Sequence, residues 1–512
     1  MLGRNFVELI TKNLELGSMD LLGQSSTKVD MRVELKSAAK RIVSINSRCH
    51  VTETARTDAE VRITGRVVTR VIYLDESDAW QGEEGSTTFT EKLILKNSEF
   101  IAGIHATTEI VDSRIVDTGN PSSVDIVSNI SVNLIGITKK EIAYVAGLQG
   151  EVESRCDSTK ITSFSNILEH NFELEERFDL DKTCLGVLGV DLSAALKEVI
   201  VLDGKLSLKG LASVNMIAVK SADEQHIIYN ENQEFDFSKS MTVSGLSMND
   251  IVSAHLVVTE TQMRLENKGK AELVISASVR FTAHVATVKT VEFVSDAFGF
   301  ENKLGFTHNT VEGAIAITHV TQTEVEGNLT MPDSTPYITK ILAAEGARIL
   351  SATLTPASDK VTIDGKLGTT VIYECEERGI HAHNAILPFS SSIKMTGTTK
   401  EAGVSASVAL LTCRVKARRG RELLIDARVG LSLTSATTEM HEITGNVVLG
   451  EQIARDQSSI MIYTVGDSET LWDIAKRIGT KIVDILKQNP SLSNGINPGD
   501  KVFIYRQEII NF

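Results

Sequence analysis

The sequence predicts a mostly β protein: three tandem antiparallel β domains followed by a small module of order βααβ. Three observations carry that reading. One glycine-centred strand pattern occurs three times, each copy is followed by a hairpin of alternating residues, and the C-terminal segment trades alternation for two short helical faces.

The first pattern runs from Val61 to Tyr73 about Gly65, and returns from Leu206 to Ala218 about Gly210 and from Val361 to Tyr373 about Gly365. In each copy an apolar residue stands four and two places before the glycine, and an apolar pair stands six and seven places after it. Period two marks a half-buried strand, and an interior glycine marks a bulge, a bend or a close backbone approach. Gly65, Gly210 and Gly365 are therefore structural. Their spacings of 145 (65 to 210) and 155 (210 to 365) suit whole domains of roughly 100–200 residues and exceed the roughly 20–50 of solenoid repeats.

The hairpins follow. Ile110 to Val116 and Val124 to Ile135 flank a turn at residues 117–121. Leu256 to Leu265 and Ala271 to Ala283 flank one at 266–269, and Val408 to Ala417 and Glu422 to Leu433 flank one at 418–420. The returning strands alternate cleanly, with Ile130, Val132 and Leu134, then Ile275, Ala277, Val279 and Phe281, then Ile425, Ala427, Val429 and Leu431 on one face. Such strands have one core face and one wet face. The copies place the domains at residues 1–150, 151–300 and 301–446, with a polar linker over 447–459. A short helix is expected near Phe6 to Lys12, and an acidic loop carrying Trp80 over residues 75–85.

The final module spans residues 460–507. Ile462 to Val465 reads as a strand. Thr470 and Asp473 form a capping box ahead of Leu471, Ile474, Ala475 and Ile478, one apolar helix face that Gly479 ends. Thr480 is placed to cap a second helix that stops at Asn489-Pro490, and Val502 to Tyr505 is the last strand.

A formal charge of −15 argues against nucleic acid, which requires an excess of Lys and Arg on one face. No stretch approaches the roughly 18 unbroken apolar residues of a membrane span, and the N-terminal segment lacks the apolar run of a signal peptide. The five scattered cysteines form no Cys-x-x-Cys pair and read as free thiols. Catalytic patterns fail one by one. His441-Glu442 lacks the second histidine of a zinc-protease helix, His381 and His383 have no third ligand in view, and the stretch after Gly365 lacks the first glycine of a phosphate loop. No cofactor, metal site or catalytic residue is expected.

Tyr463-Thr-Val, Thr470-Leu-Trp-Asp-Ile-Ala475, Ile485 to Pro490 and Ile496 to Val502 resemble a LysM module, a fold best known for binding N-acetylglucosamine chains. In that fold the loops at 467–471 and 489–499 make one shallow groove, which the resemblance assigns as a partner site: Asp467, Ser468, Glu469, Thr470, Leu471, Trp472, Asn489, Pro490, Ile496, Pro498 and Gly499. Ser468-Glu469 stands where the family usually has Gly-Asp, a departure that counts against glycan binding. The module's charges over 458–512 balance at six acidic and six basic, so no long-range pull toward an anionic glycan is expected.

Three β repeats and one LysM module resemble the SipL-type spore coat morphogenetic proteins of clostridia. The resemblance implies a non-catalytic scaffold whose LysM module binds the coat-initiating ATPase SpoIVA. It implies a place in the mother-cell cytoplasm, at the forespore surface and in the coat, with other coat proteins meeting the β repeats. The alternative is a protein whose module holds peptidoglycan or cortex. Trp472, beside the apolar helix stripe, is either core or contact.

Overall fold

The computed structural model describes residues 7–96, 100–117, 119–181, 183–222, 225–267, 271–376, 379–454 and 460–505. Phe6 of the expected first helix, Thr118 and residues 268–269 of the hairpin turns, 455–459 of the linker and 506–507 of the module lie outside them. As the periodicities predict, the molecule is mostly β, with several small antiparallel sheets and two helices between strands at the C-terminal end.

Among the described residues, each repeat has six strands. The first holds β1 (Val7–Glu34), β2 (Ala39–Arg56), β3 (Glu60–Asp75), β4 (Trp80–Ile94), β5 (Ile101–Asp117) and β6 (Ser123–Gly150). In the second are β7 (Val152–Asp179), β8 (Cys184–Leu202), β9 (Lys205–Ala222), β10 (Gln225–Thr242), β11 (Ile251–Asn267) and β12 (Ala271–Gly299). The third has β13 (Asn302–Thr330), β14 (Ile338–Ala357), β15 (Lys360–Cys375), β16 (Ile380–Lys394), β17 (Gly403–Ala417) and β18 (Glu422–Gln452). In every repeat the three middle strands form one meander, and the first strand joins the last two in a second sheet, as in β1-β6-β5. The two sheets enclose a private core; in the first repeat Val61, Ile63, Val67 and Val71 meet Ile126, Ile130, Val132 and Leu134.

Three local expectations are corrected. Residues 7–12 are strand, because Val7 to Lys12 pair with Gly150 to Tyr144, and a ladder with a distant partner outweighs a short helical pattern. Trp80 opens β4, buried at 7% exposure and paired with Leu74, so the acidic loop shrinks to a turn. Residues 447–452 continue β18, with Val447 buried against Val145 and Val294, and do not begin a linker.

The three glycines occupy one position. Gly65 faces Phe89, Gly210 faces Phe237 and Gly365 faces Phe389 on the neighbouring strand. Each ring lies over the glycine, so an added Cβ would meet it at 2.3, 2.2 and 2.5 Å. This is a close approach of an aromatic ring to bare backbone, which covers the glycine from water and pins the register.

Beyond the private cores, the repeats close into a ring. Ile72, Ile217 and Ile372, seven places after the three glycines, are at most 1% exposed and share one cluster with Val43, Leu188 and Ala343. The strands run on past the sandwiches as long two-stranded stalks. There Leu14 and Tyr144 of the first repeat, Ile161 and Val291 of the second and Val311 and Ile443 of the third make another shared core. The repeats thus surround a pseudo-threefold axis.

One layer on that axis is charged. The register makes Asn46, Asp191 and Glu345 equivalent, facing Arg70, Asn215 and Thr370 across their own sheets. Arg70, with a fully buried side chain, donates to Asp191 at 2.8 and 3.1 Å, to the Val190 carbonyl at 2.8 Å and to Glu84 at 3.1 Å. Its guanidinium stands 3.9 Å from Glu345, which also accepts from Ser44. Burial pushes the Glu345 carboxyl up to about 7, against the pull of Arg70. Burial would raise Asp191 as well, but Arg70 outweighs it and holds that carboxyl below its ordinary value.

Candidate functional site

The C-terminal module is built from β19 (Ile460–Thr464), α1 (Leu471–Ile478), α2 (Ile482–Gln488) and β20 (Lys501–Tyr505), with a tight helical turn over Pro490–Asn494. Helix α1 starts where the capping box predicts. The Thr470 hydroxyl accepts from the Asp473 amide, the Asp473 carboxylate accepts from Thr470, and Gly479 ends the helix at φ 70°. Helix α2 differs from expectation: Lys481, not Thr480, is its N-cap, and no side chain caps it. Ile474, Ala475, Ile478, Ile485, Val502 and Ile504 form the core of the module.

Of the groove residues, Asp467, Ser468, Thr470, Pro490, Pro498 and Gly499 are exposed, while Glu469, Leu471 and Ile496 are half-buried. Asn489 is buried and structural in its contacts. Its amide donates to the Ile485 and Phe503 carbonyls and accepts from the Phe503 N–H, fastening α2 to β20.

Glu469 folds back into its own loop. Its carboxylate accepts from the Gly466 amide at 2.8 Å and from the Tyr463 hydroxyl at 2.7 Å, and pairs with Arg477 at 2.8 Å. The Gly466 hydrogen bond and then that of Tyr463 hold the Glu469 carboxyl below its ordinary value, and the carboxylate in turn raises the Tyr463 phenol. Ser468 sits at φ 62°. That left-handed backbone favours glycine, the residue usual there in the family.

Trp472 is 6% exposed, and what buries it is the second repeat. Its indole N–H donates to Asp296 at 2.8 Å, its ring stands edge-on to Phe298 with centroids 5.2 Å apart, and the Arg155 guanidinium lies 5.1 Å over it. Lys476, one turn on, pairs with the same Asp296 at 2.6 Å. Phe298 and Phe300 join the module's own cluster, and Lys481 lies over Phe300. Trp472 is thus buried with the module's own cluster, in line with the core alternative, and part of that core comes from the second repeat. Nothing in the alternating stretch around Asp296 signals a receptor for an indole.

The fold defines a class: a ring of like β repeats carrying one LysM module. Residues 463–504 match the LysM domain, and residues 337–417, from the strands β14 to β17, match the domain described as SipL, SPOCS domain. Together the two matches support a SipL-type protein with a C-terminal LysM module, placed with sporulation- and coat-associated proteins. Both matched domains are non-catalytic binding or scaffold domains. No curated protein and no solved structure gave a match. Among the described residues, no helix is long and apolar enough to cross a membrane.

Proposed function

We propose that the chain is a non-catalytic morphogenetic scaffold of the spore coat. Its LysM module binds the coat-initiating ATPase at the forespore surface, on the mother-cell side, while the β repeats meet other coat proteins. The observation that carries a protein ligand over a glycan is the closed first loop. Glu469 spends its hydrogen-bonding capacity on Gly466, Tyr463 and Arg477, so the loop offers a sugar few unspent polar groups. The exposed Asp467, Thr470, Pro490 and Pro498 and the half-buried Leu471 and Ile496 are the proposed contact surface.

The test is binding of the full chain to purified coat ATPase and, in parallel, to N-acetylglucosamine oligomers. Binding to the ATPase, weakened by Asp467→Arg with Pro498→Arg in a chain of unchanged melting temperature, is the expected result. Binding to the sugar alone returns the chain to the wall-binding class.

A further inference from the structure

The module does not hang free. Its Trp472 corner, part of the expected groove edge, is docked on the stalk of the second repeat, and the chemistry of that contact is what two separable bodies use. One carboxylate, Asp296, takes both the indole N–H and the Lys476 ammonium. Its side chain is 33% exposed and that of Lys476 is 45% exposed, so water reaches the pair and competes with it. The remaining contacts are the edge-on pairing of Phe298 with the indole, Phe300 in the same apolar cluster with Lys481 over its ring, and the Arg155 guanidinium over Trp472. A contact between domains whose ion pair stands open to water resembles a transient interface, for which relative motion is the default.

The module's own interior explains how it could leave without unfolding. Ile474, Ala475, Ile485, Val502 and Ile504 are at most 1% exposed, and they belong to the module's own helices and strands. Trp472 is different, because its polar atom finds its partner on the second repeat. An indole N–H prefers a partner when buried, and Asp296 supplies one. The docked state therefore satisfies a group that release would hand to water or to a ligand.

We propose that this contact is a reversible latch: the second repeat masks the Trp472 corner of the LysM module, and a protein partner that takes that corner must displace Asp296 and Phe298. The proposal rests on the reading of the module as a protein-binding site and adds its regulation. A binding-competent state that is only fractionally populated weakens apparent affinity by that fraction, so loosening the latch strengthens binding with no change at the binding surface.

The experiment uses the full chain with Trp80→Phe, which leaves Trp472 as the single tryptophan. Asp296→Lys, outside the module, should shift the Trp472 emission to the red, raise its quenching by acrylamide, and tighten binding to purified coat ATPase by about tenfold. Asp296→Asn repeats the test with a side chain of the same shape, should Lys disturb the stalk. Lys476→Asp combined with Asp296→Lys restores the pair and should lower the quenching again. Unchanged quenching in both Asp296 variants, with melting temperature preserved, overturns the latch. Raised quenching without tighter binding overturns its regulatory role. If quenching rises but neither chain binds the ATPase at any concentration, the latch stands and the ATPase reading falls.

Discussion

Two adjacent layers on the pseudo-threefold axis solve the same packing problem differently. The apolar layer uses one residue three times, Ile72, Ile217 and Ile372, all buried together. The layer beside it has Arg70, Asn215 and Thr370 facing Asn46, Asp191 and Glu345. An isoleucine tolerates two copies of itself, because dispersion has no sign. Three buried arginines or three buried carboxylates would repel, so a polar layer on such an axis must lose its symmetry. The result here is one buried arginine shared by partners from all three repeats, with the half-buried Arg48 as a second donor to Asp191.

The largest expected effect tests the charged layer. Arg70→Ala leaves the buried Glu345 without its cation and the half-buried Asp191 with Arg48 alone, and should cost about 3–5 kcal/mol, whereas Asn215→Ala and Thr370→Ala should cost far less. Chemical denaturation of the three variants measures the spread, and equal costs would break the claimed asymmetry. The apolar layer should behave oppositely. Ile72→Ala, Ile217→Ala and Ile372→Ala should each cost about 2–5 kcal/mol and lie close to one another, because each opens a cavity in the same cluster.

A third test reads Glu345 through pH. Its folded pKa of about 7 lies above the unfolded value of 4.5, so the folded state holds the proton more tightly between them. Its contribution to stability is therefore fully present below pH 4.5 and is lost as pH rises through about 7. The span corresponds to about 3 kcal/mol. Glu345→Gln keeps an acceptor for Ser44 and should flatten that slope between pH 4.5 and about 7, and above pH 7 it should be the more stable chain. Asp191 works in the other direction, since a carboxyl held low loses its contribution only as pH falls below the ordinary carboxylate range. A slope unaltered by Glu345→Gln would show that the layer is not closed to water.

The smallest effect lies off the axis and sets the scale for the others. Ser468→Gly removes a side chain from left-handed backbone and should stabilise the module by about 1 kcal/mol, seen as a higher melting temperature of its transition.

Much of the ring was legible, and the unread part had a signal. The alternation that defined the strands also marked the private cores, because one face of each sheet carries the apolar set. The apolar pair after each glycine said more. Adjacent residues on a strand point to opposite faces. Val71, Met216 and Val371 fill the private cores, so Ile72, Ile217 and Ile372 required a second buried face. Three copies of that requirement are a request for mutual packing. In the module, the capping box at Thr470 and Asp473 was plain because it is local. The pairing of Trp472 with Asp296 was not, since it joins residues that are distant in the chain and share no pattern.

The stalks also decide the order in which the molecule can be made. Val7 pairs with Gly150, Val152 with Gly299 and Asn302 with Gln452, so each repeat is stitched shut by the last residues of its own sequence. A contact of such long separation forms late, because the loop it closes must first be ordered. During synthesis, each nascent repeat stays open until its final strand emerges. The shared axis can be completed only after the third closure, so the LysM module, which follows the third repeat in the chain, meets a stalk that has already folded to receive it.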